Sequence, residues 1–310
     1  MNSQPPPWKP SLPILTQPIQ IFEKQIEPND DEFLKLRDLI RQACGISLGE
    51  DKRYLITQRL SPLLKPAGCK NYLELMQKLG ADSAGCALRD KVIEAMTTNE
   101  TSFFRDIHPF EAFRDNLIPI LVSRVRASRL KPGGEHKARI WCAASSTGQE
   151  PYSIAMLISE TLGTGGHPDI RAQDIQIVAT DISTEVLTRA GKGHYNQTEI
   201  SRGLSDDMRK RYFTQSGQNW TVSPMIRKMI EFKQLNLIKP FSSLGTFDII
   251  FCRNVLIYFD EATKSKILEQ FYEMLIPGGA LLLGAMENTY CLCPKFHSKR
   301  VGKTIVYERH

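Results

Sequence analysis

Two acids in this sequence stand where a bound nucleoside would meet them. Asp181 closes the apolar run "IQIVATD", and Glu150 follows the small-residue loop "AASSTGQE" that leaves another apolar run, "ARIWCAA". An acid at the end of the second strand of a βα unit can accept from the two hydroxyls of a ribose. Asn254 ends a third run of the same kind, "FDIIFCRN". The loop before Glu150 has a single glycine, Gly148, with Pro151 in the first turn of the helix that follows. A pyrophosphate needs backbone amides at very close approach, so this loop argues against NAD, FAD and ATP and for a nucleoside cofactor without phosphates. Plainer roles stay open on these residues alone: Asp181 as the cap of a helix starting near Ser183, Glu150 as an acid complementing a helix dipole.

A second cluster, "MTTNETSFFRD" from Met96 to Asp106, combines two aromatic residues, an arginine and short polar side chains without the apolar period of a core helix. The six histidines share no spacing, and the seven cysteines are irregularly placed, which suits reduced thiols in a reducing compartment. Cys291, Cys293 and His297 approach a metal-ligand set but lack a fourth member, so they read as plain thiols and no metal is expected.

The elements that must position these residues follow from pattern. Short continuous apolar runs alternate with helical ones after about residue 138, which predicts a parallel sheet covered on both faces, with ligands at the carboxyl ends of its strands. Residues 30 to 98 repeat apolar positions at helical spacing, as in "DEFLKLRDLIRQACG", and read as a small all-helical domain, with Pro62 as a kink or break. Residues 99–137 form a linker to an α/β domain at 138–310, and residues 1–29 a flexible Pro-rich tail. The turn signal at Ser216 and Gly217 predicts a β-hairpin insertion at about 211–235. A net charge of +6 with scattered basic residues permits an acidic partner without indicating nucleic acid. No apolar run is long enough to span a membrane, and "MNSQPPPWKP" lacks a signal pattern, so a cytoplasmic protein is expected.

The segments "NETSFFRD", "STGQEPYSIAM", "ATDIS", "LNL" and "FDIIFCRNVLIYFD", in this order and spacing, resemble the CheR-type chemotaxis receptor methyltransferases from about residue 31 to 309. The resemblance implies an α/β, Rossmann-like S-adenosylmethionine-dependent methyltransferase sheet with a helical N-terminal domain and an inserted β-subdomain. It implies transfer of methyl from S-adenosyl-L-methionine to glutamates of chemoreceptors, the methyl-accepting chemotaxis proteins, leaving S-adenosyl-L-homocysteine. It makes "MTTNETSFFRD" the lid and active-site segment, with Asn99, Thr101 and Arg105 facing cofactor and reacting centre. Glu150 and Asp181 match the family's cofactor carboxylates, Asn236 and Leu237 its adenine-side contact, and Cys252 and Arg253 the edge of the same pocket, beside Asn254, which its place after the strand makes a further cofactor-binding candidate. Tyr258 matches its active-site tyrosine, so Arg105 and Tyr258 are the expected catalytic pair. Ala144 stands where the family has glycine and Gln149 where it has a second acid, and the hairpin reads short for holding a receptor C-terminal tail peptide.

A glutamate acceptor is already ionised at neutral pH, so such a reaction needs positioning rather than a general base, and a missing catalytic His or Cys is in keeping. Lys52 and Arg59, seven residues apart, share one helix face with Arg53 beside them, and the resemblance assigns this stripe to the glutamate-lined cytoplasmic helices of a receptor; a merely solvated face is the alternative. Two other readings remain: a catalytically silent domain that binds cofactor or another nucleotide as a signalling scaffold, and an RNA methyltransferase. The latter class uses an Asn/Asp-Pro-Pro-aromatic turn where this chain has "RNVLIY".

Overall fold

The computed structural model describes residues 25–80, 85–130, 137–164 and 167–310; the Pro-rich tail lies outside the described residues up to residue 24. Four helices form the N-terminal unit: α1 (Asp30–Cys44), α2 (Arg53–Leu64), α3 (Tyr72–Leu79) and α4 (Gly85–Met96). Asn29 and Glu32 close a capping box at the start of α1, and Asp30, Asp31 and Glu32 place negative charge at its positive end. Phe33, Leu36, Ile40 and Cys44 recur at helical spacing and are buried against Ile56, Leu60, Tyr72 and Leu75. Gly45 ends α1 at φ 80, and a Cβ there would stand 2.5 Å from Ile238 of the second domain. Pro62 lies in the last turn of α2, where the helix runs only two residues further.

The chain continues through α5 (His108–Ala112), a π-helical turn at Phe113–Leu117 and α6 (Ile118–Arg129) into the sheet domain. There follow β1 (Ala138–Ala143), α7 (Gln149–Thr164), β2 (Ile175–Asp181) and α8 (Thr184–Lys192). Next come β3 (His194–Asn196), α9 (Gln197–Ser201), α10 (Asp206–Tyr212), β4 (Phe213–Ser216), β5 (Asn219–Val222) and α11 (Pro224–Arg227). The chain ends with β6 (Ile230–Gln234), β7 (Phe247–Cys252), α12 (Glu261–Met274), β8 (Leu275–Leu283), β9 (His297–Val301) and β10 (Thr304–Glu308).

The main sheet has the order β6-β2-β1-β7-β8-β10-β9, parallel from β6 to β8 and antiparallel at β10 and β9. Alternate residues of its central strands feed two cores. Ile140, Ile177 and Phe251 pack on one face, while Trp141, Val178 and Ile250 pack on the other, the side of α12. Trp141 is fully buried among the rings of Phe241, Phe247 and Phe271, and its Nε1 donates to Thr180 Oγ1 at 2.9 Å. Strand order reverses between β1 and β7, which opens a crevice at their carboxyl ends.

The insertion differs from the hairpin read from sequence. The strands β4 and β5 do form a hairpin, but β3 pairs with β5 to make a separate three-stranded sheet, so the inserted unit begins near residue 194. Residues 230–234 do not belong to it: β6 is the parallel edge strand of the main sheet, beside β2. No described helix is long and apolar enough to cross a membrane.

Candidate active site

Where β1 ends, the backbone turns sharply through Ala144 at φ 56, Ser146 at φ 50 and Gly148 at φ 93. The turn aims the Ser146 N–H at Asp181, whose Oδ2 accepts it at 2.8 Å, while Oδ1 accepts the Ser183 N–H at 3.1 Å. The helix α8 is capped by Ser183, not by Asp181. Burial pushes the Asp181 carboxyl above its usual range, and its backbone hydrogen bonds oppose that rise. Beside it, the Ser145 hydroxyl is buried with no hydrogen-bond partner among the described residues.

Glu150 lies in the first turn of α7, and its Oε2 accepts from Arg253 Nη1 at 2.9 Å. Burial raises its pKa and the Arg253 guanidinium pulls the other way. Arg253 is almost fully buried, and its Nη2 also donates to the Arg105 carbonyl (2.9 Å) and Asp106 Oδ2 (2.7 Å). One guanidinium thus ties the end of β7 to α7 and to the linker.

The linker answers what "MTTNETSFFRD" is for. Phe103 is an anchor, fully buried with its ring 5.0 Å from Tyr195 and 5.5 Å from Phe213 of the insertion. Gly203 makes that approach possible, since a Cβ there would fall 1.8 Å from the Phe103 carbonyl oxygen. Phe104 packs edge-on against Phe110 at 5.3 Å. Between these anchors and α5 the chain is strained: Phe104, Asp106 and Ile107 have φ of 49, 70 and 51, and the His108 N–H closes a γ-turn onto Asp106 at 2.5 Å. Arg105 is carried on this strained segment, donating to the Glu100 carbonyl at 2.9 Å.

One cavity collects these groups. Asn99, Thr101 and Arg105 line it from the linker, and Glu150 and Asp181 from the strand ends. Asn236 and Leu237 follow β6, while Arg253, Asn254 and Tyr258 follow β7. The Asn236 amide donates to the Ala43 carbonyl at 2.8 Å and so also joins this wall to the helical domain. Sequence reasoning missed two contributors from that domain, Cys44 and Ile46, and the wall formed by Ser145 and Ser146. The unbroken small-residue stretch "AASS" was the available signal for the serines; nothing local marks Cys44 or Ile46.

Four expected site residues lie elsewhere. Cys252 does not line the cavity: strand alternation turns it into the core with Trp141 and Ala143, opposite in parity to Phe251 and Arg253. The basic stripe is not a free face. Arg53 pairs with Asp30 at 2.7 Å and lies over the Phe33 ring at 4.7 Å. Arg59 donates to the Met96 carbonyl (2.7 Å), the Thr97 carbonyl (3.2 Å) and Thr98 Oγ1 (3.1 Å), which makes it a strut for the linker. Of the three only Lys52 is exposed, and none of them lines the cavity. No three His, Cys, Asp or Glu side chains among the described residues group as metal ligands.

The buried Asp181 carboxylate, the partly buried Glu150 carboxylate, an unpartnered serine hydroxyl and the apolar Ile46 and Leu237 make a set of groups that fits a nucleoside bearing a cationic end. Residues 99–299 match the family described as CheR methyltransferase, SAM binding domain, and residues 31–97 the CheR methyltransferase all-alpha domain. The chain is 43% identical over 279 residues to the chemotaxis protein methyltransferase Cher2 of Pseudomonas putida, spanning 89% of this chain and 97% of the relative. It is 42% identical to chemotaxis protein methyltransferase 1 of Pseudomonas aeruginosa, over 89% and 97%. The chemotaxis protein methyltransferase of Vibrio parahaemolyticus is 39% identical over 90% and 97%.

Proposed function

The chain belongs to the CheR methyltransferase family and is an S-adenosylmethionine-dependent methyltransferase, and we propose that its acceptors are glutamate side chains on the cytoplasmic helical region of chemoreceptors. The observation that carries this reading is one cavity holding both the carboxylates Asp181 and Glu150 and the pair Arg105 and Tyr258. Asp181 would hold the ribose of the cofactor, and Glu150, positioned by Arg253, its cationic end. When bound, S-adenosylmethionine supplies a methyl group on a sulfonium, ready for in-line displacement.

The chain's own part is orientation. A receptor glutamate arrives ionised and needs no base to activate it. Arg105 holds one carboxylate oxygen by a charge-assisted hydrogen bond and leaves the other free to attack, and the Tyr258 hydroxyl donates to the same group. Closure of the linker over the cavity keeps water from competing. Since Arg53 and Arg59 are occupied within the chain, receptor recognition in this reading centres on the mouth at Arg105 and Tyr258. A cytoplasmic location follows from the same acceptor.

The test is transfer of label from radiolabelled S-adenosylmethionine to membranes carrying the receptors of the same cell. Base-labile label on receptor, lost in Arg105→Ala, supports the reading. Label on RNA, or none on any fraction, overturns it in favour of the RNA methyltransferase or the silent scaffold.

A further inference from the structure

Glu287 follows β8 and is only 9% exposed, yet it touches no cation among the described residues. Both its oxygens are filled by main-chain donors. Oε1 accepts from the N–H groups of Val255 (2.9 Å), Leu256 (2.7 Å) and Ile257 (3.3 Å). Oε2 accepts from Asn254 (2.8 Å) and Gly284 (2.7 Å). Four of the five donors are therefore consecutive, residues 254 to 257, the stretch that leaves β7 at the cavity and delivers Tyr258.

Successive amides converging on one point form a nest for an anion. In this protein the anion is a side chain, and the loop is wound around it. The winding holds Asn254 at φ 59 in the left-handed region, a conformation that asparagine tolerates better than most residues. Gly284 makes room for the arrangement: a Cβ there would stand 2.7 Å from Glu287 Oε2 and 2.8 Å from the Asn254 nitrogen. At the far end of the stretch the Tyr258 carbonyl accepts from Ser47 N–H at 2.8 Å. The loop is thus fixed at both ends, and Glu287 sets its curvature.

We infer that Glu287 is a positioning residue for methyl transfer: by gathering the amides of residues 254–257 it fixes where Tyr258 presents its hydroxyl. Glu287 does not line the cavity. It acts through Tyr258, and the inference rests on the reading of Tyr258 as an acceptor-side group.

Glu287→Gln keeps the shape but turns an NH2 group toward amide donors on one side of the nest. It is expected to lower kcat on receptor about 10- to 100-fold, as a displacement of about an ångström does, while S-adenosylhomocysteine affinity stays within about threefold. In a cycle with Tyr258→Phe, the double variant should be scarcely slower than the slower single variant. Should Glu287→Gln not fold, Gly284→Ala presses on Oε2 with the charge retained and should show the same split between kcat and cofactor affinity. Turnover within about twofold of wild type in either folded variant, or effects that multiply in the cycle, would overturn the inference. A wild-type protein that labels no receptor would sink the functional reading itself, and the inference with it.

Discussion

Arg253 Nη1 stands 2.9 Å from Glu150 Oε2, and the same guanidinium holds the linker through the Arg105 carbonyl and Asp106. Removing it strands a carboxylate whose pKa burial already raises. Arg253→Ala is expected to cost about 3 kcal/mol of stability and to weaken cofactor binding about tenfold or more. Lysine should rescue little, since an ammonium cannot span three acceptors in a planar fork. Denaturant melts and calorimetry with S-adenosylhomocysteine check this; a wild-type Arg253→Lys variant refutes it.

Asp181 and Glu150 both have folded-state pKa values raised mainly by burial. A raised folded value means that ionisation opposes folding: their contribution to stability is present at low pH and is lost as pH rises through the raised values. Cofactor binding runs the other way, because the carboxylates must be ionised to accept its donors. Affinity should therefore begin to fall at a higher pH than that at which ordinary carboxylates titrate. Asp181→Asn should bind about 10-fold or more weakly and flatten that profile. Affinity independent of pH in the wild type excludes the assignment.

Ala144 lines the cavity with φ 56, in the left-handed region that glycine adopts most readily. Alanine tolerates this region at a cost of about 1 kcal/mol, and a β-branched residue does so far less well. Ala144→Gly should bind cofactor within about threefold of wild type, and Ala144→Val should lose about tenfold or more together with stability. Equal affinities for all three would show that the loop is not held as described.

Arg59 serves the linker, so its loss should be felt at the cofactor. Arg59→Ala is expected to cost about 1 to 3 kcal/mol in denaturant melts and to weaken S-adenosylhomocysteine binding, because Asn99 lies next to the carbonyls it holds. Lys52→Ala should change neither. An Arg59→Ala variant altered only in its KM for receptor would restore the solvated basic face as a docking surface.

The sheet was legible because "ARIWCAA", "IQIVATD" and "FDIIFCRN" are apolar on both faces, a pattern only a doubly covered strand requires. The strand β6 was missed because an edge strand exposes every second residue, and "IEFKQ" looks like part of a hairpin; β3 has three residues, too few to show a period. At the site, acids and the arginine of the linker could be placed from motif order. Cys252 could not, because one step along a strand reverses the face. Arg53 and Arg59 misled because helical spacing reports which residues share a face and is silent on partners 37 or 38 positions away, such as the Met96 and Thr97 carbonyls.

The Ser47 N–H on the Tyr258 carbonyl, the Ile46–Phe259 bridge and the Arg41–Asp260 ion pair at 2.6 Å cross the boundary at which the two family matches meet. The junction is therefore a poor place to cut when exchanging halves between relatives. A chimaera joined near residue 98 would inherit each core intact and still have to rebuild the seam that sets the tyrosine, with the Arg41–Asp260 pair as the side-chain contact that both halves must supply.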